Sequence, residues 1–268
     1  MGSKFVQFVC LVLLLVSVVK VGAQQAVFDV MNHGGVADGK TDNSKSLRLD
    51  FVTNASIDRI TSINSKNVHI NIFASQNIRI SNIKISVPGD SPNTDGIHLG
   101  SSHNIQILDS VIATGDDCIS FSTGANNVNI SGVRWGPGHG ISIGSLGKVD
   151  GDDVSFVDIR NCSFVGTQNG VRVKTWAPSE AGTVSHLNVE NIEIDKVENP
   201  IIIDQQYCPS RSCNAERRHQ RHRSSHQSSL AAIDAIFTVN DDDVLENISR
   251  DLARWENPRT SDLVFDVA

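Results

Sequence analysis

Tyrosine occurs once in 268 residues, tryptophan three times and methionine twice, while phenylalanine adds only 10 more aromatic rings. A core made from this chain must therefore rest on Ile, Val and Leu, of which the β-branched pair favours strands. Positive charge is also short, since 23 Lys and Arg stand against 30 Asp and Glu, a formal charge of −7. That balance excludes a chain-wide basic footprint, and no nucleic-acid partner is expected. The five cysteines are too few for a scaffold built from disulfides. Long apolar runs are limited to one, from Phe5 to Val19, which follows Lys4 and ends near Val21-Gly22-Ala23. This is the pattern of a secretory signal peptide over residues 1–23. A membrane anchor is the competing reading, but the run falls short of the ~20 apolar residues that a span needs. Once the segment is removed, no membrane association is expected.

A secreted chain meets an oxidising compartment with Cys118, Cys162, Cys208 and Cys213. Cys208 and Cys213 lie close enough, with Pro209 between them, to staple a small loop. Sequons at Asn54, Asn129, Asn161 and Asn247 agree with the secretory route.

What the chain does have is a repeat. Short polar-apolar alternations recur at Asn67-Val68-His69-Ile70, Asn77-Ile78-Arg79-Ile80, Asn104-Ile105-Gln106-Ile107, Asn127-Val128-Asn129-Ile130 and Asp153-Val154-Ser155-Phe156, with offsets of 27, 23 and 26 from Asn77 onward. Strands too short for a sandwich and too closely spaced for crossover helices predict an all-β solenoid, a right-handed parallel β-helix. An antiparallel sandwich is the alternative, but it would show hairpin signals at shorter and less regular intervals. Asn and Gly suit the left-handed corners that coils need.

The repeat is expected to occupy residues 47–214, after an N-terminal segment at 24–46 and before a polar tail at 215–268. In the tail, Glu216 to His226 holds four Arg and three His and reads as a solvated linker. Val244, Leu245, Ile248, Leu252 and Trp255 then share one face of a helix expected over 241–255.

Asp95 lies in Asn93-Thr94-Asp95-Gly96, and Asp116 and Asp117 follow about one coil later in Gly115-Asp116-Asp117-Cys118. Residues one coil apart stack about 5 Å from each other, so the three carboxylates should converge. Crowded carboxylates separate their pKa values, which is what acid/base work requires. His139 between Gly138 and Gly140 comes one coil later, and Arg172-Val173-Lys174 two coils later. Cations there either neutralise the acids or hold an anionic substrate, Arg by paired hydrogen bonds and Lys as a point charge.

In this order and spacing, Asn93-Thr94-Asp95-Gly96, Gly115-Asp116-Asp117, Gly138-His139-Gly140 and Arg172-Val173-Lys174 resemble the four motifs of the polygalacturonases, glycoside hydrolase family 28, plant branch. The likeness runs from Leu47 to Asn214 and includes Asp204-Gln205-Gln206-Tyr207-Cys208. It implies hydrolysis of α-1,4-galacturonosyl bonds in pectin with inversion, without metal or cofactor, by a secreted monomer in the plant cell wall. By position, Asp116 resembles the general acid and Asp95 with Asp117 the pair that activates water, while His139 sets the state of the acid. Arg172 and Lys174 would bind galacturonate carboxylates, Tyr207 would line the cleft and Asn93 would support the substrate.

The departures carry expectations of their own. Trp135 stands where the family has a cysteine paired with the one in the position of Cys118, so Cys118 is expected to stay a free thiol. A capping helix and several coils of the family pattern are missing between Ser46 and Leu47, and its last coils and cysteines are replaced after Asn214. The chain is therefore expected to be weakly active or inactive, because uncapped coils expose their apolar ends. A pectin-binding protein without turnover and a Ca²⁺-dependent pectate lyase are the competing functions.

Overall fold

The computed structural model describes residues 46–176, 180–208, 232–239 and 262–267. The expected signal peptide, nearly all of the 24–46 segment, Cys213 and the helix expected over 241–255 lie outside the described residues.

The described chain is a parallel β-helix with three strand positions per coil. The first face stacks β1 (Leu47–Asp50), β4 (Ile70–Phe73), β7 (Ile97–Gly100), β10 (Ile119–Phe121), β13 (Ile141–Leu146), β15 (Asn169–Trp176) and β17 (Asn199–Tyr207) in that order. The second stacks β2 (Thr53–Asp58), β5 (Gln76–Ser81), β8 (His103–Leu108), β11 (Ala125–Ser131), then the first halves of β14 (Asp152–Val165) and β16 (Gly182–Asp195). The third holds β3 (Thr61–Ile63), β6 (Lys84–Ser86), β9 (Val111–Ala113) and β12 (Arg134–Trp135), continued by the second halves of the two long strands.

Inward positions repeat the same residue class from coil to coil, so the core is a set of columns. One runs Ile70, Ile97, Ile119, Ile141, Val171, and another Ile78, Ile105, Val128, Val157, Leu187, every member buried. On the third face Trp135 takes its place in such a column, fully buried and stacked on Phe164 at 6.1 Å. Cys118 and Cys162 are buried free thiols, and burial pushes both up to about 11. Cys208 is disulfide-bonded, and Cys213, its expected partner, is outside the described residues.

At one corner Asn54, Asn77, Asn104 and Asn127 all adopt left-handed backbone, which Asn tolerates better than most residues. The amide nitrogens of Asn77, Asn104 and Asn127 each donate to the side-chain oxygen of the asparagine one coil before, at 2.9, 2.9 and 2.7 Å. The next two coils put Phe156 and His186 at this corner, stacked at 4.3 Å.

Two expectations need correction. Asp153-Val154-Ser155-Phe156 does not align with Asn127 to Ile130, because Val128 pairs with Val157 and Ile130 with Ile159. The coil is wider by three residues than the expected offset, and its corner residue is Phe156 rather than an Asn or Asp. The repeat also does not stop at 215. Strands β18 (Ala232–Val239) and β19 (Asp262–Val267) add to β16 in parallel. The long polar stretch before Ala232 hides their relation to the earlier coils.

Candidate active site

Ile97, Ile119 and Ile141 are in register on the first face, so the residues two positions earlier, Asp95, Asp117 and His139, occupy equivalent places in successive coils. Backbone hydrogen bonds from Gly96 to the Asp117 carbonyl (2.9 Å) and from Cys118 to the Gly140 carbonyl (2.7 Å) hold this column. Gly140 has φ +75°, and a Cβ there would run into the Asn169 carbonyl. Any other residue would therefore displace His139. Asp116 stands beside the column, its Oδ1 2.9 Å from His139 Nδ1.

The next outward position, three residues after each column member, carries His98, Ser120 and Ser142, and the same row continues to Arg172. Ser120 donates to Asp95 Oδ2 at 2.7 Å, and Ser142 donates to Asp117 Oδ1 at 2.6 Å. Lys174 Nζ lies 2.7 Å from Asp117 Oδ2 and Arg172 Nη2 3.3 Å from Oδ1. Both Asp117 and Lys174 keep only 6% of their side chains exposed. Arg172 keeps 15%.

Tyr207 closes the cationic side. Its ring lies 5.1 Å from Lys174 Nζ and 5.9 Å from Arg172 Cζ, and meets Trp176 edge-on at 5.4 Å. Burial raises its hydroxyl pKa. Asn93 is exposed with φ 56° on the turn that carries Asp95, where Thr94 holds Ser91 and Gly115.

Burial pushes Asp95 up to about 6 against the opposing effect of Ser120, and the neighbouring charges of Asp117 and Asp116 add to the rise. Asp116 moves the other way, held down first by its hydrogen bond to His139. Two carboxylates with opposite shifts thus share one face of the solenoid. Asp116, Asp117 and His139 offer ligand atoms within 4.8 Å of one another, a spacing that suits a metal. Their chemistry fits a cation poorly, since both oxygens of Asp117 already face Lys174 and Arg172, whose charges repel one.

Every residue singled out in the sequence for acid/base work meets on this face. Ser120, Ser142 and His98 were missed: each sits three residues after Asp117, His139 or Asp95, a spacing that strand alternation alone puts on opposite faces, and the two positions share a face here because the first of them lies in the turn before the strand.

The sequence model of glycosyl hydrolases family 28 matches residues 27–220. The chain belongs to that family. Among its relatives, a polygalacturonase of Gossypium barbadense is 51% identical over 169 residues, covering 63% of this chain and 42% of its own length. An exopolygalacturonase of Oenothera organensis is 45% identical over 174 residues, 65% of this chain and 48% of its own. The family 28 chain described here spans less than half the length of these relatives. Among solved structures, the polygalacturonase from Erwinia carotovora ssp. carotovora superposes with a TM-score of 0.54 at 25% identity, over 80% of this chain and 56% of its own. The endo-xylogalacturonan hydrolase of Aspergillus tubingensis gives 0.60 at 20% identity, over 82% and 59%, and shares the fold.

Proposed function

We propose that this family 28 chain hydrolyses α-1,4-galacturonosyl bonds of pectin with inversion, acting outside the cell on the plant wall. The observation that carries this reading is the column of Asp95, Asp117 and His139, with Asp116 beside it and Arg172 and Lys174 on the same face. One chain supplies every group, which suits a monomer. The apolar run at Phe5–Val19 and the plant relatives support secretion.

In this reading Asp116 protonates the leaving oxygen, since its side chain is 27% exposed and borders His139. Asp117, held by Lys174, Arg172 and Ser142, works with Asp95 to remove a proton from the attacking water. Arg172, Lys174 and Tyr207 face the substrate carboxylates, Asn93 lies at the rim, and Cys208 pairs with Cys213. The cations on Asp117 weigh against a Ca²⁺-dependent lyase.

A second reading follows from the substrate-free electrostatics. Asp95 is the carboxyl pushed up to about 6 and Asp116 the one held down, the reverse of the order that an Asp116 acid needs. A galacturonate carboxylate docked beside Asp116 would restore that order, because like charge favours the protonated form. If it does not, Asp95 is the acid.

Turnover of an aryl galacturonide with an easily lost phenolate decides between them, because such a leaving group needs no acid. Asp116→Asn should lose most hydrolysis of polygalacturonate yet regain it on the aryl substrate, while Asp95→Asn should stay slow on both. The opposite pattern assigns the acid to Asp95. No hydrolysis of polygalacturonate by the wild-type chain, with binding retained, would leave a pectin-binding protein instead. The first anomer seen by NMR tests inversion.

A further inference from the structure

On the substrate face, His98 joins the acid/base column without belonging to it. Its Nδ1 lies 2.8 Å from Ser120 Oγ and its Nε2 2.8 Å from Ser122 Oγ, so both ring nitrogens are engaged. Ser120 has one proton, and toward an ionised Asp95 it is donated to Oδ2. The proton between His98 and Ser120 therefore belongs to Nδ1, and Nε2 accepts from Ser122. The result is a directed chain from the Ser122 hydroxyl through neutral His98 and Ser120 to Asp95. Burial lowers the pKa of His98 and keeps it in this neutral form.

We infer that His98 is a positioning residue, whose Nδ1–H fixes the Ser120 hydroxyl on Asp95 Oδ2 and so leaves Oδ1 as the oxygen that meets the reacting water. Without that donor, the Ser120 hydroxyl is free to rotate away, and Asp95 loses both a fixed orientation and a hydrogen bond that stabilises its charge. The inference rests on the reading of Asp95 as a water-activating base. The groups whose charge reaches Asp95 are Asp117, Asp116 and Lys174, and those reaching His98 are Asp117 and Lys174. None of them replaces the hydroxyl on Oδ2.

The test is a carbon-13 NMR titration of the Asp95 carboxyl, assigned by its loss in Asp95→Asn, alongside polygalacturonate kinetics on the full chain. Ser120→Ala should raise the Asp95 midpoint by about one pH unit, the usual worth of a hydrogen bond to a charged group. His98→Leu should raise it in the same direction, and the double variant should exceed Ser120→Ala by nothing. His98→Asn, whose amide nitrogen takes the place of Nδ1, should restore the wild-type midpoint. In kinetics, His98→Leu should lower kcat about tenfold with KM nearly unchanged, as expected for lost positioning of a base. An unchanged Asp95 midpoint in folded His98→Leu, or effects of His98→Leu and Ser120→Ala that add in full, would overturn the inference. The titration reads Asp95 directly, so it decides about His98 even if the chain proves not to hydrolyse pectin.

Discussion

Asp95 and Asp117 occupy equivalent positions one coil apart, and each accepts a hydrogen bond from a serine three residues further along the neighbouring row, yet their surroundings differ in kind. Beyond Ser142 lie Arg172 and Lys174, while Ser120 leads to the neutral His98. The N-terminal side of the site is thus built from hydroxyls and buried imidazoles, and the C-terminal side from ion pairs. A solenoid places the same backbone under both, so the difference in surroundings comes from which residue fills the outward row.

The largest effect should come from emptying the charged side. Lys174→Met leaves Asp117 buried with only Arg172, at 3.3 Å, as a cation, and removing one partner of a buried pair typically costs about 3–5 kcal/mol. Urea unfolding at pH 7 measures it, and Lys174→Met with Asp117→Asn should recover most of the loss. A stability equal to wild type in the single variant would show that Asp117 is not the charge that Lys174 serves.

The neutral side should fail in acid instead. His69, which donates its backbone N–H to the Asp95 carbonyl, is 1% exposed, and burial pulls its imidazole from 6.5 down to about 4. Its Nδ1 meets Ser62 at 2.8 Å and its Nε2 has no partner among the described residues. Because the folded value is depressed, the unfolded chain takes the proton first. Stability is complete above about 6.5 and falls as pH drops toward 4, by roughly 3 kcal/mol for this one group. His69→Leu should flatten the decline of Tm between pH 7 and pH 4.5. A decline as steep as in wild type would assign the acid sensitivity to other groups.

Asp95 should respond with the opposite sign from Asp117. Its folded pKa, about 6, exceeds the ordinary 3.8, so the stability tied to its proton is lost as pH rises through that interval. After allowance for partial exposure to water, ionised Asp95 costs about 1–2 kcal/mol at pH 7. Asp95→Asn should therefore raise Tm at pH 7 and leave it unchanged at pH 3.5, whereas Asp117→Asn should lower it at pH 7. Like responses from both variants would erase the distinction between the two sides.

The sequence carried the column well and the row poorly. Asp95, Asp117 and His139 are legible because glycines and turn residues mark their place in each coil, so spacing alone stacks them. Ser120, Ser142 and His98 carry no such mark. A serine on a strand reads as an ordinary exposed residue until register shows that it faces a carboxylate. The same limit explains the misplaced alternation at Asp153: an asparagine marks the corner in the earlier coils, whereas Phe156 and His186, stacked on each other, have the left-handed backbone in the next two. Of the two roles that charge alone allows Lys174, its Nζ at 2.7 Å from Asp117 Oδ2 adds a contact with the acids that only the structure shows.

The smallest expected effect separates the two serines. Ser142→Ala removes one hydrogen bond from Asp117 Oδ1 and the 3.3 Å contact to Arg172 Nε, but Lys174 on Oδ2 and Arg172 on Oδ1 remain. The loss should be near 1 kcal/mol in unfolding, the net worth of an ordinary hydrogen bond. Turnover should fall only two- to threefold, roughly half a kcal/mol of barrier, because the cations still hold the carboxylate in place. Ser120→Ala has no such reserve, since the cations next to Asp117 make no hydrogen bond to Asp95 among the described contacts. Parallel measurement of the two variants tests whether charge on one side does what orientation does on the other. Equal losses of turnover would mean that both aspartates depend on their serine alike, and that the ion pairs at Asp117 serve stability alone.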